Sequence, residues 1–182
     1  VIDVWELISL TNRHPRINIL QPGPGVGGHC IAVDPWFIVS KTPQLSRLIY
    51  TARVINDSMP EWVLSKVKSA IFDVLQADTS KRSADVTVAC FGLAFKANID
   101  DLRGSPAMSI ASKITKIHAG PVVAVEPNIS KLHDSLNIQL VTIETAFKIA
   151  DVILLLVDHE EFKGIYPTKG AIVIDTKGLW TR

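Results

Sequence analysis

The chain has 182 residues, 47% of them hydrophobic, with 19 Lys and Arg against 18 Asp and Glu for a net charge of +1. That length holds one full domain and part of another, with enough apolar content to bury a sizeable core. Charges of both signs are interspersed, which gives no footprint for nucleic acid or an anionic membrane surface, and the longest apolar run, Val152 to Val157, is far short of the ~20 residues of a membrane span. No basic-then-apolar signal pattern opens the chain, so the cytoplasm is the default location. Cys30 and Cys90 make no disulfide framework and read as thiols. No metal site is expected.

The chain begins Val1-Ile2-Asp3-Val4-Trp5-Glu6-Leu7-Ile8 without an initiating Met, its apolar residues at helical spacing as though a longer helix had been cut. An amphipathic helix is expected from Val1 to about Asn12, ended by Pro15, because proline disfavours helical geometry in the residue before it. His14 and Arg16 follow. Arg16 on its own reads as a solvated surface charge.

Gln21 to Pro35 then packs four glycines, Cys30 and Asp34 into one short turn. Glycine admits backbone angles and close approaches that a Cβ forbids, so Gly23 to Gly28 can bend tightly, expose N–H groups and present Cys30 just beyond. Gly23-x-Gly25-x-x-Gly28 matches the literal dinucleotide fingerprint, with Ile17 to Leu20 as its preceding strand. That fingerprint also needs a following helix and an acidic residue about 20 positions on, at the end of a second strand. Pro35 is expected to interrupt a helix here, and Arg47 to Val54 reads as helical, so the dinucleotide reading is set aside. Two readings stay open: a glycine-rich turn with an incidental thiol, or a nucleophilic Cys30 with Asp34 as its orienting group.

Leu45, Leu48, Ile49, Ala52, Val54 and Ile55 mark a helix, and Trp62, Val63, Val67, Ala70, Ile71, Val74 and Leu75 mark a second or its continuation. Pro60 either starts the second helix, with Ser58 as a cap, or kinks a single long one. So extended an apolar stripe is ordinarily core and can also serve as a subunit contact.

Asp78 to Asp85 is a polar linker. Short β-rich runs then alternate with helical ones: Val86 to Phe91, Pro106 to His118, Val122 to Val125, Ser130 to Leu136, Gln139 to Val141, Ile143 to Ile149, Val152 to Val157, Glu160 to Phe162 and Ala171 to Ile174. That alternation indicates βαβ units and a parallel sheet. A strand as continuously apolar as Val152 to Val157 fits a sheet covered on both faces. The fold class is α/β: a helical segment, residues 1–80, followed by a doubly wound, Rossmann-like domain, residues 81–182. Ligands of such sheets bind beyond the carboxyl ends of the strands, where Lys96 and Arg103 stand beside Asp100 and Asp101. Lys96 reads equally as exposed surface or as a phosphate contact, and Ser105-Pro106 is a helix start.

Gly-Pro-Gly-Val-Gly-Gly-His-Cys-Ile-Ala-Val-Asp-Pro-Trp-Phe, ending at Phe37, resembles the active-site segment of the nucleotide-sugar 6-dehydrogenases, which oxidise UDP-glucose, GDP-mannose or UDP-N-acetylmannosamine to uronic acids. Gly92-Leu93-Ala94-Phe95-Lys96, followed by Asp100-Asp101-x-Arg103-x-Ser105-Pro106, resembles a second signature of that family. Val33 stands where the UDP-glucose branch usually has Lys, which favours the branch acting on UDP-N-acetylmannosamine.

The resemblance runs along nearly the whole chain and implies an NAD-dependent oxidation in two hydride transfers. Cys30 would be the nucleophile, passing through a thiohemiacetal and a thioester, and Asp34 would assist the water chemistry. It implies UDP-sugar contacts from His14, Arg16, Gly27, Phe95 and Lys96, with Arg103 reaching NAD. It also implies a homodimer built on the central helices. An N-terminal NAD-binding domain would be absent from this chain, which alone would bind the UDP end and oxidise nothing. Gly104 sits where larger residues are common in the family, which is expected to loosen the local backbone.

Overall fold

The structure is a computed structural model that describes residues 2–133, 136–167 and 170–180. Asp3 accepts the N–H groups of Trp5 and Glu6 at 2.8 and 3.1 Å and so caps α1 (Val4–Thr11). The glycine turn leads directly into α2 (Asp34–Lys41), with Pro35 in its first turn. Pro35 therefore starts a helix where an interruption was expected. In a first turn the N–H has no helical partner to lose, and the fixed φ of proline already suits the helix. The dinucleotide reading still lacks its strand, because residues 17–20 form none.

α3 (Arg47–Ala77) runs through Pro60 as one helix of 31 residues. Ser58 caps nothing; its hydroxyl donates to the Ile55 carbonyl inside the helix at 2.7 Å. Five strands, β1 (Val88–Phe91), β2 (Val122–Val125), β3 (Gln139–Leu140), β4 (Val152–Leu155) and β5 (Ile172–Asp175), form an all-parallel sheet in the order β3-β2-β1-β4-β5. Val88 lies in register with Val122 on one side and Val152 on the other. α4 (Pro106–Ile117) connects β1 to β2, and α5 (Ile143–Ile149) connects β3 to β4. The expected cap is present: the Ser105 hydroxyl accepts from Met108 N–H at 3.1 Å and donates to the Leu93 carbonyl at 2.6 Å.

Alternate strand residues feed two cores. Val88 and Cys90 point to one layer, with Val63, Leu64, Val67 and Ala70 of α3 and Ile110 and Ile114 of α4. Ala89 and Phe91 point to the other, with Ala146 of α5, Phe162 and Trp180. The sheet is covered on both faces and is doubly wound, as the sequence predicts. Val63, Val67 and Ala70 of the α3 stripe are thus core for the chain's own sheet, while Trp62 of the same stripe stays exposed. The run Ser130 to Leu136 departs from the alternation, because residues 130–133 form no regular element and residues 134 and 135 lie outside the described ones. Ile129, Leu132 and Leu136 instead pack against the α3 and α4 core from an irregular path, so tertiary contact overrides local pattern.

Candidate active site

In a sheet of this order the strand sequence reverses between β1 and β4, and ligands bind outside the carboxyl ends of the strands at that point. A cleft of about 670 Å³ opens there, lined by Ala94 to Ala97 after β1, Leu156 to Asp158 after β4, Lys177 after β5, and Gln21 to Gly27 of the glycine turn. The two halves of the chain therefore face each other across one cavity.

The glycine turn is held from both sides. From α3, the Asn56 side-chain oxygen accepts the Val26 N–H at 2.9 Å. The buried Arg53 pairs with Asp57 at 2.6 Å and reaches the Ile31 carbonyl at 3.5 Å. From the second half, the Gly104 carbonyl accepts the Gly28 N–H at 3.3 Å. A Cβ on Gly27 would lie 2.3 Å from that same carbonyl and 2.5 Å from Pro106, and one on Gly28 would lie 3.1 Å from the Phe95 ring. Gly104 itself has φ of +61°. The expectation that Gly104 loosens the backbone is corrected: it adopts a conformation costly for other residues and so brings its carbonyl against the turn.

The candidates named from sequence fall into two groups. Gly27, Phe95 and Lys96 line the cleft. Cys30 is exposed just beyond it, and its carbonyl accepts the N–H groups of Val33 and Asp34 at 3.0 and 2.8 Å, which folds the thiol residue back onto the start of α2. Cys90 is fully buried, and burial pushes its thiol up to about 12. His14 and Arg16 are exposed, joined by a 3.3 Å bond from the Arg16 N–H to His14 Nδ1, and line no part of the cleft. Arg103 also stands outside it, its guanidinium on Asp101 at 2.8 and 3.0 Å. The side-chain and backbone bonds from Arg103 hold the Asp101 carboxyl down to about 2.

Sequence reasoning missed three features of this region. Lys177 reaches into the cleft and pairs with Asp158 at 3.2 Å. Arg53, Asn56 and Asp57 hold the turn; their i, i+3, i+4 spacing inside an apolar helix was the available signal. Glu126, at the end of β2, is 6% exposed and accepts the N–H groups of Leu93 and Ala94 at 2.6 and 3.1 Å. An acid directly after the apolar strand Val122 to Val125 was the signal there. Burial drives the Glu126 carboxyl up, but His159 and the two loop N–H groups outweigh it and hold the group below its ordinary range. His159, fully buried, lies 3.2 Å from Glu126.

This arrangement tests the fit of NAD. In dinucleotide-binding sheets the amides after the first strand cradle the pyrophosphate. Here a carboxylate already occupies them, and a phosphate brought to the same place would meet its charge.

Two family models match: "UDP-glucose/GDP-mannose dehydrogenase family, UDP binding domain" over residues 89–182, and the same family's central domain over residues 1–58. The chain is 58% identical to the UDP-N-acetyl-D-mannosamine dehydrogenase of Yersinia pestis, over 98% of this chain and 43% of that protein. It is 50% identical to the NDP-N-acetyl-D-galactosaminuronic acid dehydrogenase of Ralstonia nicotianae, over 99% of this chain and 41% of that protein. Among solved structures, the UDP-N-acetyl-mannosamine dehydrogenase of S. aureus superposes with a TM-score of 0.75 at 37% identity, covering 100% of this chain and 41% of that one. The chain thus spans less than half the length of these relatives. Among the described residues no helix is long and apolar enough to cross a membrane, and no group of three or more His, Cys, Asp or Glu is placed to hold a metal ion.

Proposed function

The chain belongs to the UDP-glucose/GDP-mannose dehydrogenase family, and from that premise we propose that it forms the substrate side of a cytoplasmic enzyme oxidising UDP-N-acetyl-D-mannosamine to the uronate. The observation that carries this reading is the cleft at the strand-order reversal, with Lys96 and Lys177 at its wall and the Cys30 turn along its edge. Residues 81–182 take the UDP end: the two ammonium groups suit a diphosphate, and Phe95 offers an apolar face. Residues 1–80 supply the reactive turn. His14, Arg16 and Arg103 lie outside the cleft, so their proposed contacts with sugar and cofactor are made in the whole protein, and a homodimer forms through the exposed part of the central helices.

The hydride acceptor is a nicotinamide cofactor, which Arg103 reaches in the whole protein. What this chain supplies is covalent and hydrolytic chemistry. The Cys30 thiolate adds to the C6 aldehyde carbon, a C–S bond forms and the oxygen takes a proton. After that adduct is oxidised to a thioester, water attacks the carbonyl carbon, the C–S bond breaks and the thiolate leaves. Asp34 takes the proton of the attacking water. Dividing the oxidation at a covalent intermediate lowers each barrier.

Calorimetry of the chain with UDP, UDP-N-acetylmannosamine and NAD tests the reading. The two uridine compounds should bind and NAD should not, and Lys96→Ala should weaken UDP by about tenfold, the effect of losing one charged contact. Tight NAD binding, or NADH production on adding substrate, would show that the sheet is the cofactor side. UDP-glucose, GDP-mannose and an N-acetylgalactosamine nucleotide, offered to the whole protein, would expose a different sugar preference.

A further inference from the structure

Loop 93–98, which presents Phe95 and Lys96 to the cleft, is tied at both ends to one buried pair. At its start, Leu93 and Ala94 donate their N–H groups to Glu126. At its end, Asn98 donates its N–H to His159 Nδ1 at 3.0 Å. Asn98 has φ of +61°, a left-handed conformation that asparagine adopts more readily than other side-chain-bearing residues. Its side-chain oxygen accepts the Glu160 N–H at 2.9 Å, which adds to the hold. Because Nδ1 accepts, the His159 proton sits on Nε2, on the side of Glu126. Asn128 closes the group, with its N–H on Glu126 at 3.3 Å and its amide nitrogen 3.1 Å from His159 Nδ1. The glycine turn needs no such pair, since Asn56 and Gly104 already fix it.

We infer that Glu126 and His159 are a positioning pair that brackets loop 93–98 and sets Phe95 and Lys96 for the nucleotide. This rests on the cleft being the UDP site. Neither residue lines the cleft, so each acts through backbone amides. Supporting groups of this kind decide whether a binding side chain is held in place or merely present.

Hydrogen exchange and UDP calorimetry on the full chain test the inference together. Glu126→Ala should expose the Leu93 and Ala94 amides to exchange, and His159→Leu the Asn98 amide, while Val123 and Leu154 in the strands stay protected. UDP affinity should fall about tenfold or more in both. Where Glu126→Ala does not fold, Glu126→Gln keeps one oxygen for the two amides and should show a smaller loss. His159→Asn, which restores an acceptor near Nδ1, should recover affinity that His159→Leu loses; a purely space-filling role predicts no recovery. Unchanged protection of the three loop amides overturns the bracket. If the wild-type chain takes no UDP, the functional reading falls while exchange still decides the bracket. If wild type takes UDP and both disruptive variants take it equally well, the bracket falls and the functional reading stands.

Discussion

The Asn56 side chain accepts the Val26 backbone N–H at 2.9 Å, which ties the long helix α3 to the turn that carries Cys30. Its own amide donates to Asp57 at 3.1 Å, and Asp57 holds Arg53, so one face of α3 fixes the turn through side chains already fixed to each other. Asn56→Ala should cost about 1 kcal/mol, the net worth of such a bond, and should free the Val26 amide to exchange. Asn56→Asp keeps the acceptor and should retain most of both. Thermal unfolding and exchange at Val26 read the outcome; an alanine variant matching wild type in each would remove Asn56 from this role.

Cys30 should be the reactive thiol and Cys90 the inert one. Cys30 is exposed, whereas Cys90 lies in the core with its thiol pushed up to about 12, so at neutral pH it has almost no thiolate to react. Brief iodoacetamide treatment followed by mass-spectrometric mapping should find label at Cys30, and at Cys90 only after denaturation. In the whole protein, Cys30→Ser should abolish net uronate production, and unimpaired turnover would exclude the covalent route.

The Asp101–Arg103 pair predicts a response to acid. The Asp101 carboxyl is depressed to about 2 in the folded chain, against an ordinary value of about 3.9. Its contribution is therefore fully present above about pH 4 and is lost as pH falls through about 2. Arg103→Ala should make stability less steeply dependent on pH within that window, and the two proteins should converge below it. The pair is exposed, so the difference should shrink in high salt. Urea unfolding followed from neutral pH down through this window tests the sign; a wild-type curve parallel to the variant's throughout would mean that the pair is not formed in solution.

The sheet was legible because its strands are continuously apolar and its loops polar, a pattern set by burial on both faces. Val152 to Val157 and Val122 to Val125 announce themselves in this way. Cleft residues such as Gly27, Phe95 and Lys96 were legible through their motifs. What escaped was long-range: Glu126 meets Leu93 and Ala94 across more than thirty residues of sequence, and His159 meets Asn98 across more than sixty. An acid after an apolar strand can flag Glu126 as unusual, but no local pattern says which amides it or His159 will meet, because that is chosen by where the sheet brings each. Pro35 was misread for a different reason. A proline signals a break or a beginning according to whether the helix lies before or after it, and the glycines upstream left only the second.

The exposed apolar surface of the helical segment predicts a homodimer. Leu48 and Ile55 of α3 are 82% and 60% exposed, Phe37 of α2 is 69% exposed, and Leu45 in the turn between the two helices is 88% exposed. A concentration of large side chains on the outside of neighbouring helices marks an interaction surface. Val63 and Val67 of the same helix make the contrast, at 0% and 1% exposed against the chain's own sheet. Leu48→Glu combined with Ile55→Glu should therefore leave folding intact and yield a monomer, whereas Val67→Glu should unfold the protein by placing a charge in the core. Light scattering at tens of micromolar, with circular dichroism as the check on folding, separates the two effects. A wild-type chain of monomer mass under those conditions would rule out self-association through these helices alone.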